Sequence, residues 1–406
     1  MKLFQTLDNK KECVGIYTED ELIFDREKFP SDLTATWAPT AFLKGMEVEF
    51  ASLYLEGKKV RECLPEYLQD EWDDAMSQLR AFQRSLDISK VNQDDNCFYD
   101  LVPDRFLIDY CETKNKITAH VLKTIPRPRR YEFYQRVEHM LNDIASRPVS
   151  LDRRKLSSYL SSPTLGRTAS TMLDAHPTVR YKQFGTKTGR LTNLSSGIPL
   201  LTLSKDLRST ILPTNDYFLE LDFNGAEVRV MTALMGFQQP SGDIHQHHLE
   251  NVFTKLKSRS EAKTAFFAWL YGSSALSGSE EEVNLLQFYD RERILSRFWD
   301  GDTLTTPYGK VINGVGAHHA LNYLVQSTTA ELALKQFLKI DHFLQQQTSG
   351  SHVAFLIHDA VVIDMKKADE KYITDLIYLM GSTNFGTFVV NQKRGLDLSM
   401  TDESLP

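Results

Sequence analysis

The segment RSEAKTAFFAWLYG, which begins at Arg259, combines the side chains best suited to phosphate chemistry in this sequence. Two cations and two aromatic rings recur there at every fourth position, as Arg259, Lys263, Phe267 and Tyr271. On an α-helix, residues with this spacing lie about 40° apart along one narrow face. Such a face can hold a triphosphate at one end and stack a base and sugar at the other. Gly272 follows as a candidate C-terminal cap. The alternative is an amphipathic helix with a solvated basic edge.

Two aspartates stand at the ends of predicted strands. An apolar pattern in residues 217–221 leads to Asp222, and a tight Asn224-Gly225 turn and a helix follow it. A second apolar run, VAFLI, leads to His358-Asp359, and VVI leaves it. We therefore expect a strand–turn–strand unit with an acid and an imidazole at its tip. Two such carboxylates, brought together, can hold two Mg²⁺ ions about 4 Å apart for in-line phosphoryl transfer. The alternative for Asp222 is a cap of the next helix.

Three further segments carry polar groups that suit either a solvated surface or nucleic acid. The basic loop RYKQFGTKTGRL, residues 180–191, could follow a phosphodiester backbone. Asn322 and Gln326 lie four residues apart on a predicted helix, where they could donate to minor-groove acceptors. The histidine-rich HQHH run at residues 245–248 invites a zinc hypothesis, but no third ligand is nearby.

Composition limits the class of protein. The 406 residues suffice for two or three domains, and the apolar share of 41% is typical of a soluble globular protein. A net charge of −7 argues against a general polyanion binder. None of the four cysteines forms a CxxC pair, and no apolar run approaches a membrane span. We expect a reduced, soluble, cytoplasmic protein with no membrane association.

The remaining chain predicts mostly local structure. Residues 1–30 favour β-hairpins, residues 39–84 are helical in pattern, and residues 103–122 predict a helix. The proline-rich, basic segment TIPRPRR at residues 124–130 is the best candidate for a domain boundary. Further helices are predicted in residues 131–145 and in the following LDRRKLSSYL segment.

Together these pieces resemble the family A (Pol I-like) DNA polymerases, most closely those of bacteriophages, from about residue 131 onwards. Ordered matches carry the resemblance: TKTGRL (186–191), LDFNGAEVRV (221–230, motif A), DIH (243–245), RSEAKTAFFAWLYG (motif B), HHALNYLVQS (318–327) and LIHDAVVID (356–364, motif C). The resemblance implies an α+β right-hand polymerase, with an antiparallel palm sheet, helical fingers and a reduced thumb, preceded by a small α/β N-terminal domain.

The resemblance also implies roles for individual residues. The catalytic residues would be Asp222, Asp359 and Lys263, and the metal ligands would be Asp222, Asp359 and the carbonyl of Phe223. The incoming dNTP would meet Arg259, Lys263, Phe267, Tyr271, Glu227 and His245. Arg259, Lys263 and His245 would neutralise the phosphates, and Glu227 would hydrogen-bond Tyr271 and crowd the ribose 2′ position. The primer–template would contact Thr188, Arg190, Arg208, Asn322, Gln326 and His358.

Three departures from the family pattern qualify these expectations. Ala360 stands where motif C ordinarily has Glu, and Asp364 lies too far from the tip to be a good substitute. Only about 40 residues separate Arg147 from Lys187, so we expect a small or missing thumb. In the segment beginning at Tyr110, which faintly resembles a proofreading-exonuclease motif, Lys114 replaces the acid.

The predicted domains are therefore an N-terminal domain at residues 1–125, resembling a shrunken and inactive exonuclease, and a polymerase domain at residues 126–406. Within the latter we expect the palm start and reduced thumb at 131–215, motif A at 216–235, fingers at 236–315 and the remaining palm at 316–406. The implied cofactors are two Mg²⁺ ions, with Mn²⁺ as a substitute. The implied partners are a primed DNA template, dNTPs and a processivity factor or replisome helicase/primase.

Two other functions stay open at this point. A single-subunit RNA polymerase shares the palm and the Lys…Tyr-Gly helix, but the bulk of Glu227 argues against it. A non-catalytic DNA-binding protein that retains the palm fold would explain Ala360 and the short thumb segment. Retention of both aspartates and of the whole motif B face argues against that alternative.

Overall fold

The computed structural model describes residues 1–9, 13–93, 96–174, 177–347 and 350–399. The first elements in chain order are β1 (Phe4–Asp8), β2 (Cys13–Thr18), β3 (Glu21–Ile23), β4 (Ala35–Thr36), β5 (Glu49–Phe50), α1 (Ala51–Tyr54), α2 (Glu66–Ile88), α3 (Asp104–Thr124) and α4 (Tyr131–Ser146). Next come β6 (Ser150–Leu151), α5 (Arg153–Ser158), α6 (Gly166–Asp174), β7 (Tyr181–Lys182), β8 (Thr192–Asn193), α7 (Lys205–Arg208), β9 (Ile211–Leu212), β10 (Tyr217–Phe223), α8 (Ala226–Leu234), α9 (Ile244–Asn251) and α10 (Arg259–Leu270). The last are α11 (Glu280–Phe288), α12 (Arg291–Phe298), β11 (Leu304–Thr305), β12 (Val311–Ile312), α13 (Ala317–Gln347), β13 (His352–Ile357), β14 (Ala360–Met365), α14 (Ile373–Gly381), β15 (Ser382–Thr383), β16 (Gly386–Thr387) and β17 (Val390–Gly395).

The chain forms two compact units whose division differs from the boundary predicted at residue 125. The first unit contains Met1–Pro148, Asp174–Gln183 and Leu194–Ile198, and the second contains Val149–Leu173, Phe184–Asn193 and Pro199–Pro406. The difference arises because α4 is attached to the first unit. The Tyr131 hydroxyl accepts a 2.8 Å hydrogen bond from the Phe50 backbone N–H, and Gln135 donates to the Val48 carbonyl at 2.7 Å.

The first unit is built on the antiparallel sheet β1–β2–β3, which confirms the hairpins predicted in residues 1–30. Helix α3 confirms the helix predicted in residues 103–122. The helical pattern predicted in residues 39–84 is confirmed only from Glu66, where α2 begins, because β5 and the four-residue α1 precede it. Six buried side chains join α3 and its flanking loop to the sheet: Leu7, Tyr17, Val102, Phe106, Leu107 and Cys111. The exonuclease-like interpretation of this unit stays a prediction.

The second unit contains a four-stranded antiparallel sheet in the order β13–β14–β10–β17. Strand β14 is buried along all six residues, which are apolar except for Asp364. Strands β13 and β14 form the predicted strand–turn–strand unit, with His358 and Asp359 at its tip. The 31-residue helix α13 packs on β13 and on α8. No helix in the described ranges is long and apolar enough to cross a membrane.

The sequence predicts a small or missing thumb between Arg147 and Lys187. The described residues of this segment include two short helices, α5 and α6. Helix α5 begins at the N-cap Asp152, whose side chain accepts from the Lys155 backbone N–H. The preceding strand β6 pairs with β9, and Lys155 donates to the Ser209 carbonyl at 3.3 Å. This segment is therefore anchored at its base.

Asp364 lies at the far end of β14 from Ala360 and fastens the sheet to the loop before β10. Its carboxylate accepts hydrogen bonds from the Thr214 N–H at 2.8 Å, the Thr214 hydroxyl at 2.5 Å and the Asn215 N–H at 2.9 Å. The side chain is almost fully buried. Asp364 is therefore a structural residue that cannot substitute for an acid at position 360.

We predict that Asp364→Ala destabilises the protein by about 3 kcal/mol, because a buried carboxylate that accepts three hydrogen bonds is lost. Thermal unfolding of the full chain measures the effect. Asp375→Ala removes an exposed carboxylate of α14 and serves as the matched control, with an expected change within about 0.5 kcal/mol. Equal midpoints for the two variants would contradict the structural role of Asp364.

Candidate active site

The sheet brings the two predicted metal-binding aspartates to neighbouring positions. Asp222 lies directly opposite Ala360 in the pairing of β10 with β14, and Asp359 immediately precedes Ala360. His358, beside it at the hairpin tip, has a left-handed backbone with φ of 56°. Asp222, Asp359 and His358 line one cleft of about 420 Å³.

Burial and the closeness of the two groups disfavour the ionisation of both carboxyl groups of this acidic pair. Burial and the neighbouring Asp359 raise the pKa of Asp222 to about 7. Burial also raises the pKa of Asp359. Neither carboxylate is hydrogen bonded to another side chain within the described ranges. A divalent cation would relieve their repulsion and burial, and carboxylate oxygens are the ligands that Mg²⁺ prefers.

The donor set available to a cation is small. Among the described residues, no group of three or more His, Cys, Asp or Glu side chains is arranged to hold a metal ion. This agrees with the alanine at position 360, which removes the acid that the family pattern would supply. The pair of carboxylates nevertheless fits a hard cation that keeps several water ligands, as Mg²⁺ does.

Helix α10 forms one wall of the cleft and has the ends expected from its sequence. Its N-cap Ser258 accepts a hydrogen bond from the Glu261 backbone, and Gly272 follows Tyr271 with φ of 71°. The Gly272 N–H donates to the Trp269 carbonyl at 3.1 Å, as in a Schellman motif. A Cβ at Gly272 would lie 2.5 Å from the His318 ring, so both the backbone conformation and the available space require glycine.

The predicted narrow face of α10 points into the cleft, which is lined by Arg259, Lys263, Phe267 and Tyr271. The rings of Phe267 and Tyr271 stack with centroids 5.8 Å apart and an interplanar angle of 18°. The opposite face buries Ala262, Phe266 and Trp269. The helix is therefore amphipathic, and its basic, aromatic edge is the edge that faces the aspartates.

Glu227, on the first turn of α8, connects the α10 wall to the loop before β8. The Tyr271 hydroxyl donates a 2.8 Å hydrogen bond to one carboxylate oxygen of Glu227, as the resemblance implies. Arg190 forms an ion pair with the other oxygen, a contact that the sequence did not predict. Burial raises the pKa of Glu227 although Arg190 opposes the shift. Burial, followed by the Glu227 charge, raises the pKa of Tyr271 to about 12.

Asp243 is a further residue of the site whose role the sequence reasoning missed. It caps α9 by accepting from the backbone N–H groups of His245 and Gln246, and it also forms a 2.7 Å ion pair with Arg259. Asn224 donates to it at 2.6 Å. Burial alone would raise the pKa of Asp243, but these hydrogen bonds hold it well below its ordinary value. The DIH match contained the signal for this residue.

Arg229 stabilises the backbone on both sides of the Asp243–Asn224 contact. It is fully buried and donates to the carbonyls of Asn224, Pro240 and Gly242. These bonds hold the turn after β10 against the loop that leads to Asp243. The motif A match at residues 221–230 contains this arginine but does not indicate its role, because that role depends on where the 240–242 loop folds back.

His245 is buried at the cleft beside Phe267, with ring centroids 5.9 Å apart. Burial and the nearby Arg259 lower its pKa to about 4. The imidazole is therefore neutral near pH 7, whereas the resemblance implied a group that neutralises phosphate charge. In this state it can donate a hydrogen bond but supplies no positive charge.

The residues predicted to contact primer and template divide into two groups. Arg190 and His358 line the cleft, whereas the lining does not include Thr188, Arg208, Asn322 and Gln326. On α13 the four-residue spacing of Asn322 and Gln326 continues to Ala330 and Leu334, which do line the cleft. The two amides thus lie on a helix face that leads out of the site.

Two of three comparisons with known proteins find similar proteins. No protein-family model matches the chain. The DNA polymerase I of Lactococcus lactis subsp. cremoris (strain MG1363) is 21% identical over 329 residues, which cover 69% of this chain and 38% of the relative. The chain thus spans well under half the length of that curated relative.

A solved structure described as the "POL domain of Pol1 from M. smegmatis complex with DNA primer-template and dNTP" matches with a TM-score of 0.66. The match covers 98% of this chain and 95% of that chain, at 12% sequence identity. At this identity the similarity shows the fold. The fold is therefore the α+β fold of a Pol I polymerase domain, as the sequence predicts.

We predict that His245 stays neutral in the folded chain down to about pH 4. Its folded pKa lies below the ordinary value of 6.5, so protonation favours the unfolded state. Its contribution to stability is complete above pH 6.5 and is lost as the pH falls towards 4, by at most about 3 kcal/mol.

Thermal unfolding between pH 7 and pH 4 measures this effect. In His245→Gln part of the loss on acidification should disappear, whereas His342→Gln, which removes an exposed imidazole of α13, should behave as wild type. Identical pH profiles for wild type and His245→Gln would show that His245 does not titrate as proposed.

Proposed function

We propose that this chain is a template-directed DNA polymerase that adds dNTPs to a primer 3′ end by two-metal-ion nucleotidyl transfer. The observation that carries the proposal is the single cleft lined by the acidic pair, by the cation-and-ring face of α10 and by Glu227. A scaffold protein that only bound DNA would need no triphosphate-sized basic face opposite two unpaired carboxylates. The likeness to DNA polymerase I in sequence and in fold supports the same function.

Asp222, Asp359 and the Phe223 carbonyl would hold the two Mg²⁺ ions, for which Mn²⁺ can substitute. When bound there, these cations would supply charge neutralisation for the phosphates and a lowered pKa for the primer hydroxyl. The chain's own groups have complementary tasks. Arg259 and Lys263 bind the triphosphate, and the stacked rings of Phe267 and Tyr271 hold the base and sugar.

Proton transfer and positioning fall to separate residues. Lys263 is exposed and lines the cleft, and it would donate a proton to the leaving pyrophosphate. Neutral His245 donates a hydrogen bond to a phosphate oxygen. Arg190 and His358 hold the primer terminus, and the amides of Asn322 and Gln326 contact the minor groove of the duplex.

The proposal includes synthesis without proofreading. A two-metal nuclease site needs several carboxylates, and Lys114 occupies the acidic position of the exonuclease-like motif in the first unit. Lys114 and Arg180 also place positive charge near Asp8, whose pKa burial raises. With only α5 and α6 in the described part of the thumb segment, grip on duplex DNA would be weak. The proposal therefore includes a processivity partner, and the motif resemblance to bacteriophage enzymes adds a role in the replication of a phage or mobile element.

We predict that Asp222→Ala and Asp359→Ala each lower dNTP incorporation on a primed template by at least about a thousandfold, or about 4 kcal/mol of transition-state stabilisation. Primer extension with Mg²⁺ measures this. Wild type should give short products and should leave a mismatched primer 3′ end in place.

The matched control is Asp375→Ala, which removes a carboxylate from α14 outside the cleft and should extend primers at the wild-type rate. Incorporation that survives both active-site changes at the wild-type rate would remove the metal assignment. Primer binding in a gel shift without extension at any Mg²⁺ or Mn²⁺ concentration would instead support a non-catalytic DNA-binding protein.

We predict that Glu227→Ala lowers the preference for dNTPs over rNTPs by at least about tenfold, because its bulk excludes the 2′-hydroxyl. Parallel assays with each nucleotide class measure the ratio. Glu227→Gln keeps the bulk and Tyr271→Phe keeps the carboxylate, so both variants should retain discrimination. A wild-type enzyme that prefers rNTPs would establish the RNA polymerase alternative.

A further inference from the structure

Asp222 belongs to a row of side chains that crosses three strands of the sheet. Its partner on β14 is Ala360, and its partner on β17 is Asn391. Residues directly opposite each other in antiparallel strands point to the same face, with Cβ atoms roughly 5 Å apart. The cleft face of the sheet therefore carries Ala360, Asp222 and Asn391 in that order, and both Asp222 and Asn391 line the cleft.

The other acids of the sheet near this row are already engaged. Glu220 lies two residues before Asp222 on the same face, but its carboxylate forms a 3.2 Å ion pair with Lys393 on β17. Asp364 is occupied by Thr214 and Asn215 at the other end of β14. Neither can approach a cation at Asp222 without giving up these contacts.

Asn391 differs from both. Its side chain is exposed at the cleft and makes no hydrogen bond to any residue in the described ranges. A carboxamide oxygen is an accepted ligand for hard divalent cations. Asn391 thus presents an available side-chain oxygen on one flank of Asp222. Ala360, on the other flank, has no side-chain oxygen.

We propose that Asn391 supplies a further protein oxygen ligand to the divalent cation held by Asp222, on the flank opposite the acid missing at Ala360. This inference rests on the proposed function for the presence of the cation, but it concerns a residue to which that proposal gives no role. Because the amide is neutral, it completes coordination without adding charge. Affinity for the cation should therefore respond to the charge introduced at position 391.

The test is direct Mn²⁺ binding to the full chain without DNA or nucleotide, followed by the electron paramagnetic resonance signal of free Mn²⁺. We expect Asn391→Ala to weaken Mn²⁺ binding at least about fivefold and Asn391→Asp to strengthen it. Ala360→Glu in the Asn391→Ala background should restore binding, because it returns an oxygen ligand on the other flank of Asp222.

Gln392→Ala is the matched control, since Gln392 is an exposed amide that alternates to the opposite face of β17 and should bind Mn²⁺ as wild type does. Wild-type Mn²⁺ affinity in Asn391→Ala, with affinity lost in Asp222→Ala, would overturn the inference. Primer extension run in parallel separates the two proposals. If the chain incorporates nucleotides but its Mn²⁺ affinity does not depend on Asn391, this inference alone is refuted. If Mn²⁺ binding depends on Asn391 but the chain incorporates no nucleotides, the polymerase function alone is refuted.

Discussion

The register between β10 and β14 is the constraint on which the candidate site depends. Because Asp222 pairs with Ala360, the hairpin tip places Asp359 beside Asp222. A shift of one residue would turn Asp222 towards the opposite face of the sheet. The hydrogen bonds that the buried Asp364 carboxylate accepts from Thr214 and Asn215 hold the far end of this pairing. The acids at one end of the sheet are thus held in position by the polar contacts at its other end.

The acidic pair also explains why cations approach from several elements. Lys393 on β17 and Lys263 on α10 both lower the pKa of Asp222, yet burial and the charges of Asp359 and Glu220 outweigh them. Arg190 and His358 act on Asp359 in the same direction. Without a bound cation the sheet end is therefore electrostatically unfavourable, which is characteristic of a site built for a ligand rather than for stability.

The sequence predicts those features that depend on local pattern. The strand before Asp222, the hairpin around Asp359 and the α10 face follow from apolar periodicity and turn residues, and all three are present. Features that depend on the folded neighbourhood are not predictable in this way. The neutrality of His245 follows from burial next to Arg259, and the Asp243–Arg259 pair joins positions 16 residues apart. Likewise, α4 follows a proline-rich, basic segment but packs with the first unit, because Tyr131 and Gln135 bond to it.

Glu227 shows how one buried carboxylate can link two functions of the site. Its two oxygens are taken by different partners: Tyr271 from α10 and Arg190 from the glycine-containing loop before β8. In the proposed polymerase, the first partner belongs to nucleotide binding and the second to the primer terminus. If a primer drew the Arg190 guanidinium away, Glu227 would lose a positive partner while it remained buried, and the hydrogen bond from Tyr271 would have to stabilise its carboxylate. Occupation of the primer site would therefore leave the Tyr271 hydroxyl to hold the carboxylate whose bulk crowds the ribose 2′ position, which would link the primer and nucleotide sites through Glu227.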